Sequence, residues 1–122
     1  VAKILVIDDE PQLRVIVRMM LEKAGHQVTE AGDGEEGLKL LEKDLPDLIL
    51  LDVMMPGPSG WEVCHKIKGS RKLRDIPLVM FTVRSGEEDE ERSRVCGAEA
   101  HINKPFDMEE LLETVGRLLG RR

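Results

Sequence analysis

No apolar stretch of this chain reaches the length of a signal-peptide core or a membrane span, because a charge or a helix breaker interrupts every hydrophobic run. Cysteine is scarce, with Cys64 and Cys96 the only two. They sit in expected helices far apart in sequence, which suggests reduced thiols and a cytoplasmic protein. Nor is there an excess of positive charge: the formal net charge of -6 argues against direct binding to nucleic acid or to an anionic membrane. Linkers, low-complexity segments and internal repeats are also missing. The 122 residues hold a real core but no second module, so residues 1–122 are expected to form a single domain.

What is present is an alternation of apolar runs and amphipathic segments, organised around Leu48-Ile49-Leu50-Leu51-Asp52. Four consecutive aliphatic residues end on a carboxylate, and the turn-forming run Pro56, Gly57, Pro58, Ser59, Gly60 soon follows. So short a run, bounded by breakers, reads as a strand buried on both faces, the habit of a central strand in a parallel sheet. Asp52 then stands at the C-terminal end of that strand, where open parallel sheets keep their ligands. A carboxylate in such surroundings needs a partner, because burying it unpaired is costly. It is not needed as a helix cap, since Ser59 with Glu62 serves the next helix better.

In chain order, Lys3 to Ile7 is the first strand and ends on Asp8-Asp9-Glu10. Pro11 opens a helix whose inward face is Leu13, Ile16, Val17, Met20, Leu21 and Ala24, and Gly25 stops it. Gln27 to Ala31 is a more polar strand, expected near the sheet edge. Asp33 with Glu36 opens a helix that turns Leu38 and Leu41 inward and ends before Pro46. After the central strand, Ser59 with Glu62 opens a helix carrying Trp61, Val63, Cys64 and Ile67; the basic patch from Lys66 to Arg74 reads as a solvated face. Pro77 to Phe81 is a strand with Thr82 at its C-terminal end. Ser85 with Glu88 opens a helix running to Cys96, Glu99 to Ile102 is the fifth strand, and Asp107 with Glu110 opens the last helix, with Met108, Leu111, Leu112, Val115, Leu118 and Leu119 inward. Helices between successive strands mean right-handed crossovers, and hence an α/β fold: a five-stranded parallel sheet with helices on both faces, (βα)5, a three-layer sandwich.

In such a sheet every strand's C-terminal end opens on one side. Asp8 and Asp9 end the first strand, Asp52 the third and Thr82 the fourth, while Lys104 follows the fifth. Three gathered carboxylates repel one another unless a hard cation joins them. Oxygen ligands with no histidine or thiol nearby favour Mg2+ or Mn2+ over zinc.

These residues carry a resemblance. The acidic pair Asp8-Asp9, the block LLDVMMPGPSG around Asp52, Thr82 and then Lys104-Pro105-Phe106 together resemble the receiver domain of two-component response regulators, from Lys3 to about Leu119. The resemblance implies a flavodoxin-like, doubly wound fold and a phosphorylation-driven signalling switch. Asp52 is then the phosphoacceptor, loaded by a partner histidine kinase or histidine phosphotransfer protein. Asp9 is a direct Mg2+ ligand and Asp8 mainly a water-mediated one, with Asp52 and the Met54 main-chain carbonyl completing the set. Thr82 donates its hydroxyl to a phosphoryl oxygen, Lys104 pairs with the same group, and the peptide before Pro105 is cis. Slow self-dephosphorylation times the signal. A downstream target or fused output domain is reached through the helix ending at Cys96, the fifth strand and the last helix, in a monomer or a phosphorylation-dependent dimer.

The sequence departs from the family pattern twice. Val83 stands where the resemblance leads one to expect Ala or Ser, and its bulk should hinder attacking water and prolong the phosphorylated state. His101 stands where Tyr or Phe is common, on the strand face opposite Ala100 and Ile102, and its charge should bear on switching. The rival reading is an aspartyl-phosphate phosphohydrolase or phosphotransferase acting on small substrates. Enzymes of that kind resembling the haloacid dehalogenases need a second acid two residues after the nucleophile, and that place is Met54. A flavin carrier is disfavoured because Asp-Asp-Glu after the first strand would repel a phosphate. The ending Gly120-Arg121-Arg122 fits either a single-domain regulator or a receiver cut from a longer protein.

Overall fold

The structure, a computed structural model, describes residues 2–55, 57–82 and 96–120. Its elements in order are β1 (Lys3–Ile7), α1 (Pro11–Lys23), β2 (Gln27–Ala31), α2 (Gly34–Lys43), β3 (Leu48–Asp52), α3 (Gly60–Lys68), β4 (Leu78–Thr82), β5 (Ala100–Asn103) and α4 (Met108–Leu119). The five strands form one parallel sheet in the order β2-β1-β3-β4-β5. β3 lies at its centre with all five residues buried, while β2 lies at the edge and alternates exposed with less exposed positions. The expected helix from Ser85 falls on residues outside the described ones, apart from Cys96, which is helical and buried.

The period of two along each strand divides the core. Ile4, Val6, Leu48, Leu50, Val79, Phe81 and Ile102 pack with Val17 and Leu21 of α1 and with Leu111, Val115 and Leu118 of α4. The alternate residues Leu5, Ile7, Ile49, Leu51, Leu78 and Met80 pack with Leu41 of α2 and with Val63, Cys64 and Ile67 of α3. Among the described residues no helix is long and apolar enough to cross a membrane.

Helix starts follow the capping residues. The carboxylate of Asp33 accepts the Glu36 N–H at 2.8 Å, the Ser59 hydroxyl accepts that of Glu62 at 3.3 Å, and Asp107 accepts that of Glu110 at 2.7 Å. At α1 the cap residue Glu10 makes no side-chain cap, and Pro11 takes the first helical position instead.

Several local expectations are corrected. The strands expected at Pro77 and Glu99 begin one residue later, at Leu78 and Ala100. Pro77 has no N–H for the ladder, although its carbonyl accepts the Ile49 N–H at 2.9 Å. The buried stripe of α1 is narrower than its periodicity suggests: Ile16 is 48% exposed beside the fully buried Val17. The roughly 100° rotation of one residue along the helix carries it off the face that meets the sheet. Met108, in the first turn of α4, is likewise 41% exposed. Within the basic patch, Lys68 is not solvated. Its ammonium donates to the carbonyls of Arg74 and Ile76 and to the Glu99 carboxylate, closing the turn that leads to β4.

Candidate functional site

Asp52 closes β3 opposite Phe81 of β4, and the chain beyond it folds back at once. The Val53 N–H donates to the Phe81 carbonyl and the Gly60 N–H to the Val53 carbonyl, both at 3.0 Å. Gly60 touches this turn so closely that a Cβ there would run into the Asp52 carbonyl oxygen and lie 2.6 Å from Val53 Cα. The loop therefore requires glycine at its return.

Asp8 and Asp9 follow β1 on the same side of the sheet. Carboxylate oxygens of Asp8, Asp9 and Asp52 all lie within 4.8 Å of one another. Asp8 and Asp52 are each only 1% exposed and are the buried charged residues among those described, while Asp9 is half-buried. Oδ1 of Asp8 accepts the Glu10 N–H at 2.9 Å. Lys104 arrives from beyond β5 through a cis bond to Pro105, as the resemblance implied. Its ammonium is 3.2 Å from Asp52 Oδ1, 3.4 Å from Asp8 Oδ2 and 3.9 Å from Glu10 Oε1. It also lies 5.9 Å from the centre of the Phe81 ring, which stacks on Phe106.

One ammonium among three carboxylates leaves two formal negative charges uncompensated. Asp52 is both buried and part of this cluster, and its pKa is pushed up to about 6. Burial is the main cause and the neighbouring Asp8 charge the next; Lys104 and the Met54 N–H, 3.4 Å from Oδ1, oppose them. An oxygen-only donor set with this deficit suits a hard dication of the Mg2+ or Mn2+ kind. The residues present fit such an ion.

Sequence order thus brought Asp8, Asp9, Asp52 and Lys104 together correctly. Thr82 ends β4 in register with Asn103, and Met54 is 67% exposed two residues past Asp52. His101 pairs with Met80 on the sheet face opposite Ile102, as expected, and is half-buried. Val83 and the acidic run Glu87 to Glu91 lie outside the described residues. Two participants were missed. Glu10 holds Asp8 through its backbone, and Arg14 of α1 donates from Nη1 to the Asp8 carbonyl at 2.7 Å while its Nε meets Glu30 of β2 at 2.9 Å. No local pattern marks Arg14, because the carboxylate that orients it comes from another element.

Residues 4–116 match the family model described as the response regulator receiver domain. The phosphate regulon transcriptional regulatory protein PhoB of Escherichia coli is 41% identical over 119 residues, which are 98% of this chain and 52% of that protein. The chain spans about half the length of the first curated relatives it matches. Among solved structures, the chemotaxis protein CheY4 of Vibrio cholerae is 33% identical with a TM-score of 0.91, covering 96% of this chain and 98% of that one. The receiver domain of a sensor histidine kinase from Pseudomonas aeruginosa, with a magnesium ion in its active-site cleft, is 27% identical with a TM-score of 0.90 and covers 98% of each chain.

Proposed function

The chain belongs to the response regulator receiver domain family, and from that premise we propose that Asp52 accepts a phosphoryl group from the phosphohistidine of a partner histidine kinase or phosphotransfer protein. The observation that carries the reading is the placement of Asp52: 1% exposed at the end of the central strand, 3.2 Å from the Lys104 ammonium, with the Asp8 and Asp9 carboxylates close by. In the step, the P–N bond of the donor breaks as a P–O bond to an Asp52 carboxylate oxygen forms, and the donor imidazole leaves with the bonding pair. Lys104 is already on Oδ1 and neutralises charge on the incoming phosphoryl oxygens.

Asp8, Asp9 and Asp52, with the Met54 carbonyl, are the residues that would hold Mg2+. When bound, that ion supplies Lewis-acid neutralisation of the phosphoryl oxygens. The magnesium in the Pseudomonas receiver domain supports the same choice here. Phosphorylation turns a charge of -1 into about -2, which leaves an unmet charge for the Thr82 hydroxyl to answer. Movement of the β4 end toward it is the switch, in a doubly wound (βα)5 domain spanning the chain. Self-dephosphorylation is slow, and the setting is cytoplasmic. The rival hydrolase reading lacks its second acid, since Met54 stands there.

Incubation with Mg2+ and acetyl phosphate, followed by intact mass, tests the proposal. One phosphoryl adduct is expected, absent from Asp52→Asn. An adduct of undiminished yield in that variant would refute the assignment.

A further inference from the structure

Cys64 and Cys96 are separated by 32 positions in the sequence, yet their sulfur atoms lie 2.6 Å apart. Both are thiols, and both are buried, Cys64 completely and Cys96 at 5% exposure. Cys64 belongs to α3, and its Sγ is also 3.5 Å from the Cys96 carbonyl oxygen. Both belong to the apolar cluster that includes Val63, Ile67, Leu78 and Met80, with Ala98 packed against it, and the charge of Lys68 acts on both sulfurs while that of Glu99 acts on Cys64. A disulfide has an S–S distance of about 2.0 Å, so a small inward shift of the sulfur atoms separates this contact from a covalent bond.

We propose that Cys64 and Cys96 are a modification site for reversible two-electron oxidation, at which a hydroperoxide converts the pair to an intramolecular disulfide. The chemistry starts at the thiol that gives up its proton more readily. The Cys96 pKa is lowered to about 7, chiefly because the Cys64 thiol donates a hydrogen bond to its sulfur, and that same donation pushes the Cys64 pKa up. The Cys96 thiolate attacks the terminal oxygen of the hydroperoxide, the O–O bond breaks, and Cys96 sulfenic acid and an alkoxide result, or hydroxide where the oxidant is hydrogen peroxide. Cys64 sulfur then attacks the sulfenic sulfur, the S–O bond breaks, and the departing hydroxyl takes the Cys64 proton as water. Counting that first anion with the Cys96 proton, two thiols have lost two electrons and two protons, and one hydroperoxide has become water and an alcohol, or two waters for hydrogen peroxide itself. Of the two residues Cys96 is the less completely buried, at 5% exposure against none for Cys64. The bond ties α3, which follows the Asp52 strand, to the chain entering β5, which leads to Lys104.

The test is independent of phosphoryl chemistry. The intact chain is treated with hydrogen peroxide, denatured in iodoacetamide and weighed. The expected product is a monomer lighter by two hydrogens that takes up no alkyl group, is restored by dithiothreitol, and melts about 10 °C higher than the reduced form. Cys96→Ser and, separately, Cys64→Ala should show neither the mass loss nor the rise in melting temperature. Because the mass measurement on the unaltered chain stands alone, a poorly folding variant does not blunt it. Two alkylatable thiols after peroxide, a disulfide-linked dimer, or Cys96 carrying two or three oxygens with Cys64 still alkylatable would each overturn the proposal.

Discussion

Arg14 grips the main-chain carbonyl of Asp8 at 2.7 Å while its Nε is held by Glu30 at 2.9 Å. The guanidinium therefore spans from the acidic loop after β1 to the edge strand β2, and Arg18 of α1 pairs with the same glutamate at 2.8 Å. Glu30 is held in its charged form as a result, its pKa lowered first by Arg18 and then by Arg14 against the opposing effect of burial. A carbonyl fixed this way sets where the Asp8 and Asp9 side chains begin.

Loss of that grip should loosen the metal site without dismantling the fold. Arg14→Ala is expected to weaken Mg2+ binding roughly tenfold, in the range seen when a group orienting a ligand is removed. Arg14→Lys should recover little, since an ammonium cannot span both partners in a planar fork. Calorimetric titration with Mg2+ reads this directly, and equal affinity in all three proteins would show that Asp8 needs no such support.

Asp52 is a strained charge when no metal is bound. Its pKa of about 6 exceeds the ordinary 3.8, so the native state favours the protonated form. The stability this gives is complete below pH 4 and is lost as pH rises through 6. Asp52→Asn should therefore be more stable than the parent by about 1–3 kcal/mol at pH 8 in a chelator. The advantage should shrink to nothing near pH 4. Urea midpoints at the two pH values check it, and a variant less stable at pH 8 would mean that the Lys104 pair outweighs burial.

Magnesium should reverse the same penalty. A tenfold excess over its dissociation constant adds about 1.4 kcal/mol, a rise of a few degrees in melting temperature. The gain should grow between pH 5 and pH 8 as Asp52 ionises, and it should largely vanish in Asp9→Asn. A melting temperature indifferent to saturating metal at pH 8 would leave the cluster without its proposed ion.

Gly60 tests the geometry of the acceptor loop. A methyl group there meets the Asp52 carbonyl and Val53 Cα, both backbone, and no side chain can swing aside to admit it. Gly60→Ala should cost about 1–3 kcal/mol despite alanine's better helix propensity, and should depress phosphorylation by acetyl phosphate. Gly116, in α4 with open space around it, is the control: Gly116→Ala should stabilise by up to about 1 kcal/mol. Equal effects at the two positions would show that the loop can yield.

Much of the architecture is local and was readable as such. The aliphatic runs at Lys3–Ile7 and Leu48–Asp52 became strands because nothing else buries so short an apolar segment, and Asp33, Ser59 and Asp107 each cap their own helix three residues on. Parallel strands then force their C-terminal ends to one side, which is why Asp8, Asp9, Asp52 and Lys104 could be grouped from chain order. Ile16 shows the limit: periodicity marks an apolar face, but only the helix's seat on the sheet decides how wide the buried stripe is.

By itself, then, the sequence determined which segments are strands and helices, which side of the sheet carries the acids, and that a buried carboxylate there needed cations. Only the tertiary structure decided who touches whom across the gaps. It set Lys68 under the carbonyls before β4, brought Arg14 to the Asp8 carbonyl, laid the Cys64 thiol against that of Cys96, and raised Asp52 to a pKa of about 6. The physical reason is range. Strand and cap signals are written within a few residues of one another, whereas a hydrogen bond, a thiol contact or a desolvated charge depends on distances of a few ångströms between residues far apart in the chain, and those distances exist only once the layers have packed.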